Sequence, residues 1–190
     1  MTSRNPSRYS PVAQALHWLV ALLVASQIWL AITAFRAPDP AEAAALLARH
    51  RPLGLMIMLL MLARLGWRLA NPPPPLPVTL NRPGRALARL THRGFYVLLI
   101  AIPMVGWVKA GADGVAVQLA GTLTLPSLAS PDPDVARTLR ATHLYLNTML
   151  LALLPLHVLA ALWHQLWRRD GTLLRMLPGR ARMPADAAGP

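Results

Sequence analysis

Residues 11–34, 53–69, 94–108 and 142–167 form four runs in which apolar side chains follow one another almost without interruption. A helix rises about 1.5 Å per residue and the hydrocarbon core of a bilayer is about 30 Å thick, so roughly 20 such residues make one crossing. Inside hydrocarbon every backbone N–H and C=O has to be satisfied within the segment, which restricts open-ended runs of this kind to helices. The expected fold is therefore an all-α membrane protein, an antiparallel, up-down four-helix transmembrane bundle. The second run carries Arg64 and Arg68 near its end, where long side chains are expected to snorkel to the headgroups, and the third is short and holds Pro103. The first run far exceeds the h-region of a signal peptide, and no small-residue cleavage site follows it, so it is expected to stay as a span. Residues 1–190 are expected to form a single integral-membrane domain, with 178–190 as a flexible tail.

A net charge of +12 raises the question of nucleic acid, but the placement of the charges answers it. If the termini and the 70–93 connection share one side, that side receives thirteen of the nineteen basic residues, and the other receives Arg36, Arg49, Arg51, Lys109, Arg137 and Arg140. The positive-inside rule then places both termini in the cytoplasm and makes the basic excess a topology signal, with no nucleic-acid partner implied. The connection NPPPPLPVTLNRPGR at 71–85 cannot be helical through its proline run and reads as a semi-rigid extended linker. Residues 41–48 read as a short helix leading into the second span. The stretch 111–134, rich in Gly, Pro, Ser and Thr, reads as an outer loop. The chain has no cysteine, which excludes disulfides, thiolate catalysis and iron–sulfur ligation by its own side chains.

Histidines carry the chemistry. His17 lies seven residues into the first span from the inner side, and His50 sits at the outer mouth of the second. In the fourth span His143 is near the outer end, and His157 is fourteen residues, or about 21 Å, deeper. Fourteen steps of about 100° bring His157 back to within roughly 40° of His143, so one face of that helix presents both imidazoles, and His164 continues it. Two pairs result by level: His50 with His143 outside, His17 with His157 inside. His92 belongs to neither and is expected to be an interfacial histidine beside Arg93.

Two imidazoles at each of two levels suit a pair of b-type haems, each taking one axial nitrogen from either face, and together they make an electron path across the membrane. A zinc or copper centre would want three or four ligands at one level, often with carboxylates or thiolates, and none of the four apolar runs contains an Asp or a Glu. Proton-coupled transport is weakened by the same lack.

Three segments, ALHWLVALLV at 15–24, RHRPLGLMIMLLMLARLGWRLANPPPP at 49–75 and ATHLYLNTMLLALLPLHVLAALWHQLWRRDGTLLRML at 141–177, cover about half of the chain. Their order, spacing and motifs resemble the bacterial cytochrome b561 family, four-span di-haem cytochromes of the inner membrane. The resemblance implies two haem b groups held by His17, His157, His50 and His143, a multi-pass place in the bacterial inner membrane, and electron exchange with ubiquinone.

Five outer cations, Arg49, Arg51, Lys109, Arg137 and Arg140, gather where the positive-inside rule disfavours them, which points to focusing of a small anion onto the outer haem. Close members of the family oxidise superoxide, so the expected activity is that of a superoxide:quinone oxidoreductase. Haem propionates are the competing use of these cations. At the inner end, quinone reduction needs protons, and His164, assisted by Asp170, is the expected donor or hydrogen-bond partner. The alternative is a haem-b membrane subunit that relays electrons between quinone and a redox partner protein, a dehydrogenase or hydrogenase.

Overall fold

The computed structural model describes residues 8–76, 80–119 and 122–179. Its four long helices are α1 (Pro11–Arg36), α2 (Pro40–Ala70), α3 (Arg82–Ala112) and α4 (Pro133–Trp163), all long and apolar enough to cross a bilayer. Each start uses the same local chemistry. Ser10, Asp39, Asn81 and Asp132 cap the first turn by accepting from backbone N–H groups, and a proline follows at one of the first two helical positions.

The helices extend beyond the apolar runs. Residues 40–52 continue α2 outward, so the stretch 41–48 is the first part of that helix and not a separate one. The basic segment 82–93, expected in a linker, is the first third of α3, because Arg, Ala and Leu are good helix formers whatever their polarity. The proline linker shrinks to 71–81, of which 77–79 lie outside the described residues. Pro52, Pro103 and Pro155 sit inside α2, α3 and α4 without ending them, as is tolerated where neighbouring groups re-satisfy the freed carbonyls. The fourth run ends in a π-helix, His164–Arg168.

Helix α1 packs on α2, α2 on α3 and α3 on α4, but among the described residues no Cα of α1 comes within 8 Å of one in α4. The bundle is thus closed along three seams and open in its backbone along the fourth. Val20 and Val24 of α1, Ile57 and Met61 of α2, Leu98, Leu99 and Ile102 of α3 and Leu150 of α4 make the central core. Only Ala136 and Leu150 of α4 are buried, so most of that helix faces outward or toward the open seam.

The two ends differ. At the outer end the 111–134 stretch is more ordered than its composition suggests: β1 (Gln118–Leu119) pairs antiparallel with β2 (Leu123–Thr124), Gln118 opposite Thr124. Val117, just before β1, is buried against Leu55, Met58 and Ala110 and holds this hairpin on the bundle. At the inner end Arg169 adopts a left-handed conformation (φ 49°), the chain turns back, and residues 170–177 form a strap across α1. The Arg175 carbonyl accepts from Tyr9 N (3.3 Å) and Gln14 Nε2 (3.1 Å), and the Met176 carbonyl from Trp18 Nε1 (2.8 Å). The Arg175 guanidinium donates to the Pro75 carbonyl at 2.7 Å, which ties the strap to the proline linker as well. Of the tail expected at 178–190, residues 180–190 lie outside the described ones.

Candidate functional site

Heptad spacing sets the site's axis. Ala136, His143, Leu150, His157 and His164 recur every seven residues on α4 and its π extension, and the buried Ala136 and Leu150 mark that line as the interior face. On α2, His50, Gly54, Ile57, Met61, Arg64 and Arg68 follow the alternating four- and three-residue steps of one face, and three of them are buried.

At the inner level His17 of α1 and His157 of α4 meet across the open seam, their ring centroids 6.3 Å apart and their planes at 73°. That spacing leaves room for one metal ion between the rings at bonds of about 2 Å to each. His92, expected at the interface, instead lies 5.9 Å from His157, edge to face, and Phe95 packs on the same ring at 5.1 Å. The signal was present in the spacing: His92, Phe95, Leu99 and Ile102 form one three-four stripe on α3 whose last two members are buried. The three imidazoles gather without converging on a shared ligand point among the described residues. The Arg64 guanidinium donates to the Ala13 carbonyl, in the first turn of α1, at 3.1 Å, within electrostatic range of His17, His92 and His157, and Arg68 adds a second cation beside His92. Its place on the buried stripe of α2 turns it inward.

At the outer level His143 is held by main chain. Its Nδ1–H donates to the Ile102 carbonyl at 3.1 Å, which fixes the tautomer and leaves the Nε2 lone pair available. Gly106 makes room for the ring: a Cβ there would lie 3.3 Å from its Cε1. His50 lies within electrostatic range of His143, and its Nδ1 is buried without a partner of hydrogen-bonding geometry. The Gln27 amide of α1 donates to the His50 carbonyl at 2.9 Å. Gln27 went unnoticed in the sequence, although an amide midway along an apolar span is itself a signal.

The outer cations separate into two groups. Lys109 pairs with Asp113 one turn on, and Arg137 pairs with Asp134 at 2.9 Å on the exposed start of α4. Arg49, Arg51 and Arg140 have no ion pair among the described residues.

At the inner end His164 Nδ1 and Asp170 Oδ2 are 2.6 Å apart, brought together by the π turn and the left-handed Arg169. The Asp170 carboxylate also accepts from Thr172 N (3.0 Å) and Thr172 Oγ1 (2.6 Å). Burial raises the pKa of this carboxyl, but the hydrogen bonds from Thr172 and His164 outweigh it and hold it below the usual carboxylate range. Trp163 and Trp167 stack beside the dyad at 5.0 Å. A groove of about 850 Å³, lined by Tyr9, Gln14, Trp18 and Leu177 among others, opens on the α1 side of the strap, and Trp18 meets the His17 ring edge-on at 5.2 Å.

These residues fit a porphyrin. The backbone seam between α1 and α4 is open where the inner imidazoles meet, the outer Nδ1 of His50 waits for an acceptor that ligation at Nε2 would demand, and Arg64 and Arg68 supply positive charge suited to carboxylates.

Comparison with known proteins agrees. The family described as "Prokaryotic cytochrome b561" matches residues 8–179. The chain is 31% identical to "Cytochrome b561 homolog 2" of Escherichia coli (strain K12), covering 92% of this chain and 94% of that one. It is 35% identical to the "Probable superoxide oxidase CybB" of Yersinia pestis, over 90% of this chain and 96% of the relative, and 29% identical to "Cytochrome b561 homolog 1" of Escherichia coli (strain K12), over 92% and 99%.

Proposed function

The chain belongs to the prokaryotic cytochrome b561 family of membrane haem b oxidoreductases, and from that premise we propose that it oxidises superoxide at its outer face and reduces ubiquinone at its inner face, in the bacterial inner membrane. His17 with His157, and His50 with His143, are the residues that would hold the haem groups in this reading. The haem b groups, when bound, supply the one-electron relay between the two levels.

The observation that carries the donor is the outer mouth. Arg49 and Arg51 flank His50, and Arg140 precedes His143 by less than one turn, with no carboxylate claiming any of them among the described residues. Three uncompensated cations around one ligand pair attract a small anion and raise its encounter rate. Lys109 and Arg137, drawn to carboxylates of their own, contribute less. Two superoxide ions each give up one electron and leave as dioxygen; one quinone takes both electrons and two protons to become quinol.

Protons reach the acceptor from the inner dyad. Asp170 holds the His164 ring by Nδ1, which leaves Nε2 to hydrogen-bond a quinone carbonyl or to pass it a proton. Oriented in this way, His164 sits seven residues beyond His157, about 10 Å along the axis, within the tryptophan-flanked headgroup zone.

The test is direct. Purified protein in ubiquinone-containing liposomes, supplied with enzymatically generated superoxide, is expected to yield one quinol per two superoxide ions consumed. No quinol above the spontaneous rate from a preparation that contains haem would overturn the donor and favour the relay-subunit role, in which the outer face docks a dehydrogenase or hydrogenase.

A further inference from the structure

Gln27 is a side-chain amide midway along α1, and it is bound to His50. It lies on the stripe His17, Val20, Val24, Gln27, whose middle members are buried. Its Nε2 donates to the His50 carbonyl at 2.9 Å, while its Oε1 is buried with no partner. Across the same contact His50 Nδ1 is buried with no partner either. The ring lies against the Gln27 main chain, whose carbonyl belongs to the α1 ladder and offers Nδ1 no hydrogen bond of good geometry. Gly54 keeps this contact tight, since a Cβ there would stand 3.0 Å from Gln27 Nε2.

An imidazole that binds a metal through Nε2 must carry its proton on Nδ1 and donate it, and the acceptor sets how basic the ligand is. His143 has such an acceptor in the Ile102 carbonyl. We propose that Gln27 is the positioning residue for the other outer ligand: its side-chain oxygen receives the His50 Nδ1–H, fixing the ring and strengthening its donation to iron. This rests on His50 being an axial ligand.

The consequence is directional. Both outer ligands then have hydrogen-bonded Nδ1 atoms, which favours the oxidised state of the outer haem. The inner pair lies among the cations Arg64 and Arg68, which favour the reduced state. Electrons entering outside run downhill to the inner level.

The experiment is a redox titration of the purified full chain, with optical spectra and low-temperature EPR resolving the two haems, on wild type, Gln27→Met and Gln27→Glu. Methionine keeps the volume and removes the acceptor, so the outer haem's midpoint potential is expected to rise and the inner one to stay. Glutamate places a carboxylate oxygen there, a stronger acceptor, and is expected to bring the outer potential below the wild-type value. Equal potentials in all three, or shifts of Met and Glu in the same direction, overturn the role of Gln27 and leave the Gln27 main chain as the acceptor. If Gln27→Met fails to fold, Gln27→Glu alone decides, by lowering the outer potential or not. Wild type with no outer-haem signal overturns the ligand assignment of His50, and this proposal with it.

Discussion

Gly106 offers the sharpest test of the outer site because its neighbour distance converts into energy. An added methyl at 106 would stand 3.3 Å from His143 Cε1 and 3.6 Å from Nδ1. Carbon–carbon contact is optimal at about 3.5–4.0 Å, so the ring has to retreat by roughly 0.2–0.7 Å. Its bond to Ile102 O is already 3.1 Å long, and such a retreat carries it to or past the limit of a useful hydrogen bond. Losing that bond costs about 0.5–1.5 kcal/mol, rising to about 1–3 if the donor stays buried and unpaired. Against this, Gly→Ala within a helix gains at most about 1 kcal/mol, and less where the unfolded chain stays helical in the bilayer. Gly66, in α2, has nothing within 4 Å of its absent Cβ and isolates the helix gain. Reversible unfolding in mixed micelles should therefore place Gly106→Ala about 1–3 kcal/mol below Gly66→Ala, and only Gly106→Ala should alter the outer-haem spectrum. Equal stabilities with unchanged spectra would refute the claim that His143 is held in place by the absence of a side chain at 106.

Three further outcomes follow from the same geometry. His157→Ala should halve the haem-to-chain ratio and leave an outer-haem signal; loss of neither haem in pyridine-haemochrome quantitation and EPR would break the pairing with His17. Reversing Arg49, Arg51 and Arg140 to Glu should slow superoxide oxidation more at low salt than at 0.5 M, while reversing Arg137, already paired with Asp134, should do less; stopped-flow rates across ionic strength decide it. Asp170 has a depressed pKa, so its contribution to strap stability is present above the unfolded value of about 3.9 and is lost as pH falls through the lower folded value. Hydrogen exchange of residues 172–177 should thus quicken only below about pH 4, and Asp170→Asn should quicken it at pH 7 and flatten the acid response; unchanged protection at pH 7 would remove the dyad's structural role.

Much of this was legible in the chain because a bilayer leaves few choices. Four apolar runs dictate four helices, and a seven-residue rhythm in the last one puts His143, His157 and His164 on one line whatever the packing. Helix ends were less legible: the linker seen in residues 82–93 is helix, because charge says where a segment lies relative to the lipid and not whether it winds. His92 was misplaced, and the partner of Arg64 missed, for a related reason. Counting residues gives depth, whereas the side of the helix each occupies depends on the neighbour it packs against. Arg64 finds the Ala13 carbonyl on α1, and His92 finds the His157 ring on α4. The His164–Asp170 dyad was anticipated as a pair of residues; the π turn and the left-handed Arg169 that close it leave no trace in hydropathy.

The strap at the inner end receives its hydrogen bonds from Tyr9, Gln14 and Trp18 through the main-chain carbonyls of Arg175 and Met176. A carbonyl is present whatever the side chain, so drift in the letters of this segment leaves those bonds in place, whereas losing or gaining one residue between Asp170 and Met176 shifts every acceptor out of register. Relatives compared over this stretch should hold its length constant, and where Asp170, Thr172 and Arg175 are kept it is for the bonds of their side chains.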